Sequence, residues 1–245
     1  SMGVPRADGF SGNCDLKNKK NYRTRCSALI KFDDQNILID TSPDLRSQLL
    51  QNKIKTINKV FYTHPHGDQT HGINDLRPFF LINKKQIPVY ANSTTKKYLL
   101  STFAYCFKST YPYPSTLLIN NLKKKHWFQN KNKKILIEAI TVKHGNIKSI
   151  CYLVNKKLAY ASDISLFFKK DYKKLTNLKY LIIDCLWYRD HSTHFNLNQV
   201  LDLVEILSPK KTILTNMHTD LDYTQLKKKL PKSIIPGFDS MTVSL

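Results

Sequence analysis

The chain has 245 residues, 39 Lys and Arg against 18 Asp and Glu, a formal net charge of +21, and 41% hydrophobic residues. That length suits one domain with a sizeable core. No run approaches the roughly 18 consecutive apolar residues of a membrane helix, and no charged segment followed by an apolar one marks export. Five scattered cysteines without a Cys-x-x-Cys pair argue against a disulfide framework or a closed cysteine zinc site. The expectation is a cytoplasmic protein with no membrane partner. The positive charge suits a polyanion, yet the lysine runs at 123–125, 133–134 and 227–229 are spread like solvated faces or loops.

In chain order, the segment at 1–5 opens with no hydrophobic strand before it, so either a tag scar precedes the native start or a first strand is missing. Residues 36–40 read as a strand, and Thr41-Ser42-Pro43 as a helix entry with Ser42 at the N-cap. Residues 60–63 form a second strand leading into a histidine-rich loop, and 87–90 a third, followed by a helix over 94–105. Strands follow at 135–140, 151–154 and 158–160, with turns at Gly145-Asn146 and Asn155-Lys156. A strand at 180–183, a helix at 197–207, a strand at 212–214 and a helix at 223–230 complete a mixed α/β pattern without repeats or linkers, read as one domain over 1–245.

The strongest chemical signal is Thr63-His64-Pro65-His66-Gly67-Asp68-Gln69-Thr70-His71-Gly72 directly after a strand. Alternate residues of extended chain share a side, so the imidazoles of His64 and His66 can converge on one cation. Asp68 adds an oxygen ligand or a base. Mixed nitrogen and oxygen donors suit Zn²⁺, Mn²⁺ or Fe²⁺.

His-x-His-x-Asp after a strand resembles the signature of the metallo-β-lactamase superfamily. The longer run from Thr63 to Arg77 is similar to the branch containing phosphoribosyl cyclic phosphate phosphodiesterase. Further similar segments are 3–6, 23–27, 37–46, 87–91, 159–163, 182–186, 193–197 and 236–241. The resemblance implies a four-layer αββα sandwich with metals at one edge, the family's first strand lying before Gly3. By matching positions it implies His144 as third histidine of the first metal site and Asp163 as the bridging carboxylate. His194 is implied as a substrate-phosphate contact or leaving-group acid, and Arg77 is a candidate phosphate clamp.

Two departures bear on the second metal. The signature usually continues with a histidine where this chain has Gln69, and His71 is a candidate replacement. The closing histidine aligns either on Asn216 or, with a two-residue slip, on His218; alternation puts 216 and 218 on one face if the strand persists. The implied set is therefore His64, His66, His144 and Asp163 on one ion, with Asp68, Asp163 and His218 on a second, more weakly held one.

The resemblance implies hydrolysis of a small cyclic or nucleotide-like phosphodiester by hydroxide on Zn²⁺ or Mn²⁺, with Asp68 and His194 as the catalytic side chains. An RNA-processing nuclease of the same superfamily and a non-catalytic nucleotide sensor are the alternatives, and a nucleic-acid partner and a homodimer stay open.

Overall fold

The computed structural model describes residues 2–245, so Ser1 of the opening segment lies outside the described residues. The chain forms two compact units, one of Arg25–Ile135 and the other of the residues up to Thr24 together with Leu136–Leu245.

In the Arg25–Ile135 unit, β1 (Ala28–Phe32) and β2 (Gln35–Ile39) make a hairpin whose turn passes through Asp33 at φ 51°. Then come α1 (Leu45–Gln51), β3 (Lys59–Phe61), α2 (Gly67–Thr70), α3 (Arg77–Asn83) and β4 (Ile87–Ala91). After these lie α4 (Ser93–Thr102), α5 (Ala104–Phe107), β5 (Leu117–Asn121) and β6 (Lys125–Asn130). The first five strands form a sheet in sequence order, antiparallel at β1–β2 and parallel from there on. Register aligns Leu38 with Val60 and Val60 with Val89. These buried residues pack with Leu45 and Leu49 of α1, Leu76 and Leu99 in the unit's own core.

Two helix boundaries differ from the sequence reading. Asp44, not Ser42, is the N-cap of α1. The Ser42 carbonyl instead accepts the Leu45 N–H in a tight turn, its hydroxyl accepts the Asp44 N–H, and Thr41 N–H is held by the Gln69 carbonyl, so chain 41–43 is committed before the helix begins. The helix expected over 94–105 is capped by Asn92 and broken at Phe103, whose φ of −121° is not helical.

The lysine-rich stretch read as face or loop contains β6, a strand whose two apolar residues, Trp127 and Phe128, are flanked by polar ones.

In the other unit, β7 (Lys133–His144) starts before the unit boundary and runs to the site. β8 (Ile147–Val154), β9 (Leu158–Ala161), α6 (Tyr172–Leu175), β10 (Tyr180–Asp184), α7 (Leu197–Leu207), β11 (Lys211–Thr215), α8 (Tyr223–Lys229) and β12 (Ile234–Pro236) follow. The strand order is β12-β11-β10-β9-β8-β7, with β6 last beyond β7.

Strands β7, β8 and β9 pair antiparallel, whereas β9 to β12 are parallel. Every residue of β9 is buried, as befits a central strand covered on both faces. α7 carries a full capping box between Asn196 and Gln199 and turns Leu197, Val200, Leu203 and Leu207 into the core. Among the described residues no helix is long and apolar enough to cross a membrane.

Candidate metal centre

The parallel arrangement decides where the chemistry of the second unit gathers. In open α/β sheets, ligands meet the carboxyl ends of parallel strands. Here β9 ends just before Asp163, β10 ends on Asp184, and β11 ends just before Asn216. Register sets Ala161 beside Ile183 and Asp184 beside Thr215, so three neighbouring strands deliver polar side chains to one end.

His144 closes β7, and its Nδ1 lies 2.7 Å from the Thr193 carbonyl. A carbonyl only accepts, so Nδ1 carries the proton and Nε2 is left with the lone pair a metal needs. Gly145 makes this approach possible. Its φ is +58°, and a Cβ there would stand 2.4 Å from Thr193 Cγ2.

Asp163 is buried, and its Oδ1 accepts from Asn216 Nδ2 at 3.2 Å. Ligand atoms of His144, Asp163 and His194 all lie within 4.8 Å of one another, a grouping that can hold a metal ion.

His194 is held differently. Its Nδ1 is 2.6 Å from Asp184 Oδ2, which also accepts the Ile164 N–H at 3.0 Å. Burial opposes the imidazolium, but the charge and hydrogen bond of Asp184 outweigh it and hold the His194 pKa above its usual value. Burial likewise lifts the Asp184 carboxyl, to about 6, against the pull of His194. The His144 and His194 rings meet edge to face at 4.7 Å.

Within the other unit, β3 delivers Thr63 and His64 at full burial. Asp40 Oδ1 accepts the Thr63 N–H at 2.8 Å and Oδ2 the Thr63 hydroxyl at 2.7 Å. With its proton so placed, Thr63 Oγ1 accepts Nδ1–H of His64 at 2.9 Å, leaving Nε2 as the lone-pair nitrogen.

That Nε2 lies 3.1 Å from His66 Nδ1. Two nitrogens each 2.0–2.1 Å from a tetrahedral zinc stand about 3.3 Å apart, so the pair fits one shared ion. Asp68 follows in the first turn of α2, with Gln69 Nε2 3.4 Å from its Oδ2.

The remaining sequence candidates fall as follows. His71 is exposed and turned to Tyr98 Oη at 3.2 Å and to the Phe103 ring. Arg77 is exposed at the start of α3, with its guanidinium 5.8 Å from the Tyr113 ring centre.

β11 ends at Thr215 and Asn216 has φ 59°, so the strand does not persist and alternation no longer relates 216 to 218. Asn216 Nδ2 reaches the Ser162 carbonyl at 3.0 Å, Asp163 and His194. His218 instead lies edge-on to Trp187 at 5.4 Å with Nδ1 on Thr219 Oγ1, outside the group formed by His144, Asp163 and His194. His191 takes the Thr193 N–H and hydroxyl contacts through Nδ1.

Sequence reasoning assigned no role to Asp40, Thr63, Thr193 or Asp184. Their signals were position at a strand end or beside a histidine, and a place within the segments similar to the family.

Imidazole and carboxylate donors, oriented by hydrogen bonds at the ends of mixed-sheet strands, give this α/β protein groupings that could hold a metal ion. Residues 35–217 match the beta-lactamase superfamily domain, and the chain belongs to the metallo-β-lactamase superfamily, whose fold the two mixed sheets with their helices match. It is 28% identical over 245 residues to an octanoyltransferase of Porphyromonas gingivalis, covering 98% of this chain and 49% of that protein. It is 30% identical over 125 residues to ribonuclease Z of Prochlorococcus marinus, covering 49% of this chain and 39% of that protein. The chain thus spans half or less of the curated relatives it matches. Among solved structures, a diphosphatase from the PhnP family superposes with a TM-score of 0.86 at 28% identity, covering 98% of this chain and 91% of that one.

Proposed function

We propose that this superfamily hydrolase is a metal-dependent phosphodiesterase acting on small cyclic or nucleotide-like phosphodiesters. The observation that carries the proposal is the buried Asp184–His194 pair beside His144 and Asp163, a held proton donor next to metal-donor atoms. The family match spans residues of both units, which supports reading them as one functional domain.

In this reading His64, His66, His144 and Asp163 would hold one metal. Asp68 and Asp163 would serve a weaker second ion, and the Asn216 amide lies on Asp163. When bound, Zn²⁺ or Mn²⁺ acts as a Lewis acid that lowers the pKa of water from 15.7 to about 7. Asp68 orients the attacking water and receives its proton. His194, protonated and braced by Asp184, gives its Nε2 proton to the departing alkoxide, a contribution of typically 10²–10⁴-fold. Arg77 is the guanidinium assigned to the substrate phosphate. Buried free thiols at Cys14, Cys106, Cys151 and Cys185 support a reducing, cytoplasmic setting.

Similarity to ribonuclease Z and the charge of +21 favour an RNA-processing nuclease as the second reading.

The test is hydrolysis of ribose and nucleoside cyclic phosphates, bis(p-nitrophenyl) phosphate and a tRNA precursor by the metal-loaded protein. Chelator-sensitive turnover of the small cyclic substrates supports the proposal, and turnover of the precursor alone establishes the nuclease. Metal binding with no cleavage of any of them makes the sensor reading the correct one.

A further inference from the structure

Strand β6 and the turn after it carry a feature the hydrolytic site does not use. Residues 123–134 include six lysines and no acidic residue, and all six lysines are exposed. β6 alternates cleanly. His126 and Phe128 turn inward onto Phe61 and Tyr90, with ring separations of 4.8 to 6.2 Å. Lys125, Trp127 and Gln129 therefore share the solvent face, and Trp127 is 64% exposed.

At one margin Asp33 pairs with Lys133 at 2.9 Å and Asp34 accepts from Asn130.

β6 ends its sheet in strand order. Lysines on an edge strand are a common guard against pairing with other chains. An exposed tryptophan among them works against that purpose, because it invites apolar association. The combination answers a different need, since a flat aromatic face with cations on both sides along an extended strand matches stacked bases and their phosphates.

We infer that the β6 face, with Trp127 between Lys124 and Lys125 on one side and Lys131 and Lys134 on the other, binds single-stranded nucleic acid. Trp127 stacks on a base and the lysines take successive phosphates. Charge complementarity argues for the occupant, and stacking accounts for the one residue that charge does not explain. None of these residues is given a catalytic role above, so the inference does not depend on the phosphodiesterase reading.

The experiment is fluorescence anisotropy of labelled U₁₂ and of a 12-base-pair duplex, titrated with the metal-loaded full chain from 50 to 200 mM salt. For about four phosphate contacts, log K against log salt should slope near −3 for the single strand. Trp127→Ala should weaken U₁₂ binding about 5- to 150-fold, the range set by the loss of one stacked base, and Trp127→Phe should restore part of it. Replacing Lys124, Lys125, Lys131 and Lys134 together by Gln should flatten the salt slope. All three variants should hydrolyse bis(p-nitrophenyl) phosphate as the parent does, if the parent does so, and should melt as it does. The inference is overturned if Trp127→Ala binds like the parent or the quadruple variant keeps its slope. It is equally overturned if duplex is preferred, or if vesicles containing phosphatidylserine capture the protein while U₁₂ does not.

Discussion

Asp184→Asn isolates the contribution of the buried carboxylate behind His194. Asparagine keeps the shape and can still accept the Nδ1–H of His194 through Oδ1, so ring orientation survives while the negative charge is lost. The contact that loses its charge is a 2.6 Å hydrogen bond between a fully buried carboxylate and an imidazole. Hydrogen bonds to charged groups contribute about 1.5–3 kcal/mol, so losing the charge of Asp184 lowers the proton affinity of His194. A weaker proton holder is scarcer as imidazolium near neutral pH, and a step that consumes this proton slows by about 10- to 150-fold.

The assay compares two phosphodiesters that differ only in the departing group. An alkoxide needs the proton, whereas p-nitrophenolate leaves without it. Turnover of the alkyl diester should fall by the stated factor in Asp184→Asn, and further in His194→Ala, while the p-nitrophenyl diester changes by less than about threefold. An equal loss on both diesters, with metal content unchanged, would show that Asp184 does not act through proton donation and would refute the reasoning.

Thr63→Val keeps the volume but severs the link from Asp40 to His64. Buried groups then lose a partner, at about 1–3 kcal/mol of stability, and affinity for the metal should fall 10- to 100-fold; thermal unfolding and competition with a chromogenic chelator measure both. Gly145→Ala forces a side chain into left-handed backbone, at about 1–2 kcal/mol, and displaces Thr193 from His144. Its melting temperature should drop by a few degrees or more, with weaker metal retention on dialysis. Asn216→His supplies an imidazole beside Asp163, and elemental analysis should rise from about one metal per chain toward two. An unchanged stoichiometry would mean that residue 216 does not face the second ion.

Local pattern made much of this protein legible before any coordinates. The periodicity of 197–207 and the turn glycine after His144 are properties of neighbouring residues, and they appear in the structure with nearly the expected boundaries. The histidine motif is equally local, because two imidazoles one residue apart on a short loop have few other places to point. Strands β1, β5, β6 and β12 were not legible, since each is short and a pairing partner supplies its stability.

What only the tertiary structure decided were relations across long stretches of chain. Asp40 reaches Thr63 across 23 residues, and the Thr193 carbonyl reaches His144 across 49. Asp184 and His194 are only 10 residues apart, yet nothing local marks them as a pair. The placement of Asn216 and His218 belongs here too. Alternation related the two, but β11 ends at Thr215 and the backbone at Asn216 is left-handed, which sets the Asn216 amide on Asp163 and His218 against Trp187. Residue types and spacing fix which donors a segment offers. Which nitrogen keeps its lone pair is set by the hydrogen bond on the far side of the ring, and that partner comes from wherever the fold brings a carbonyl or a carboxylate.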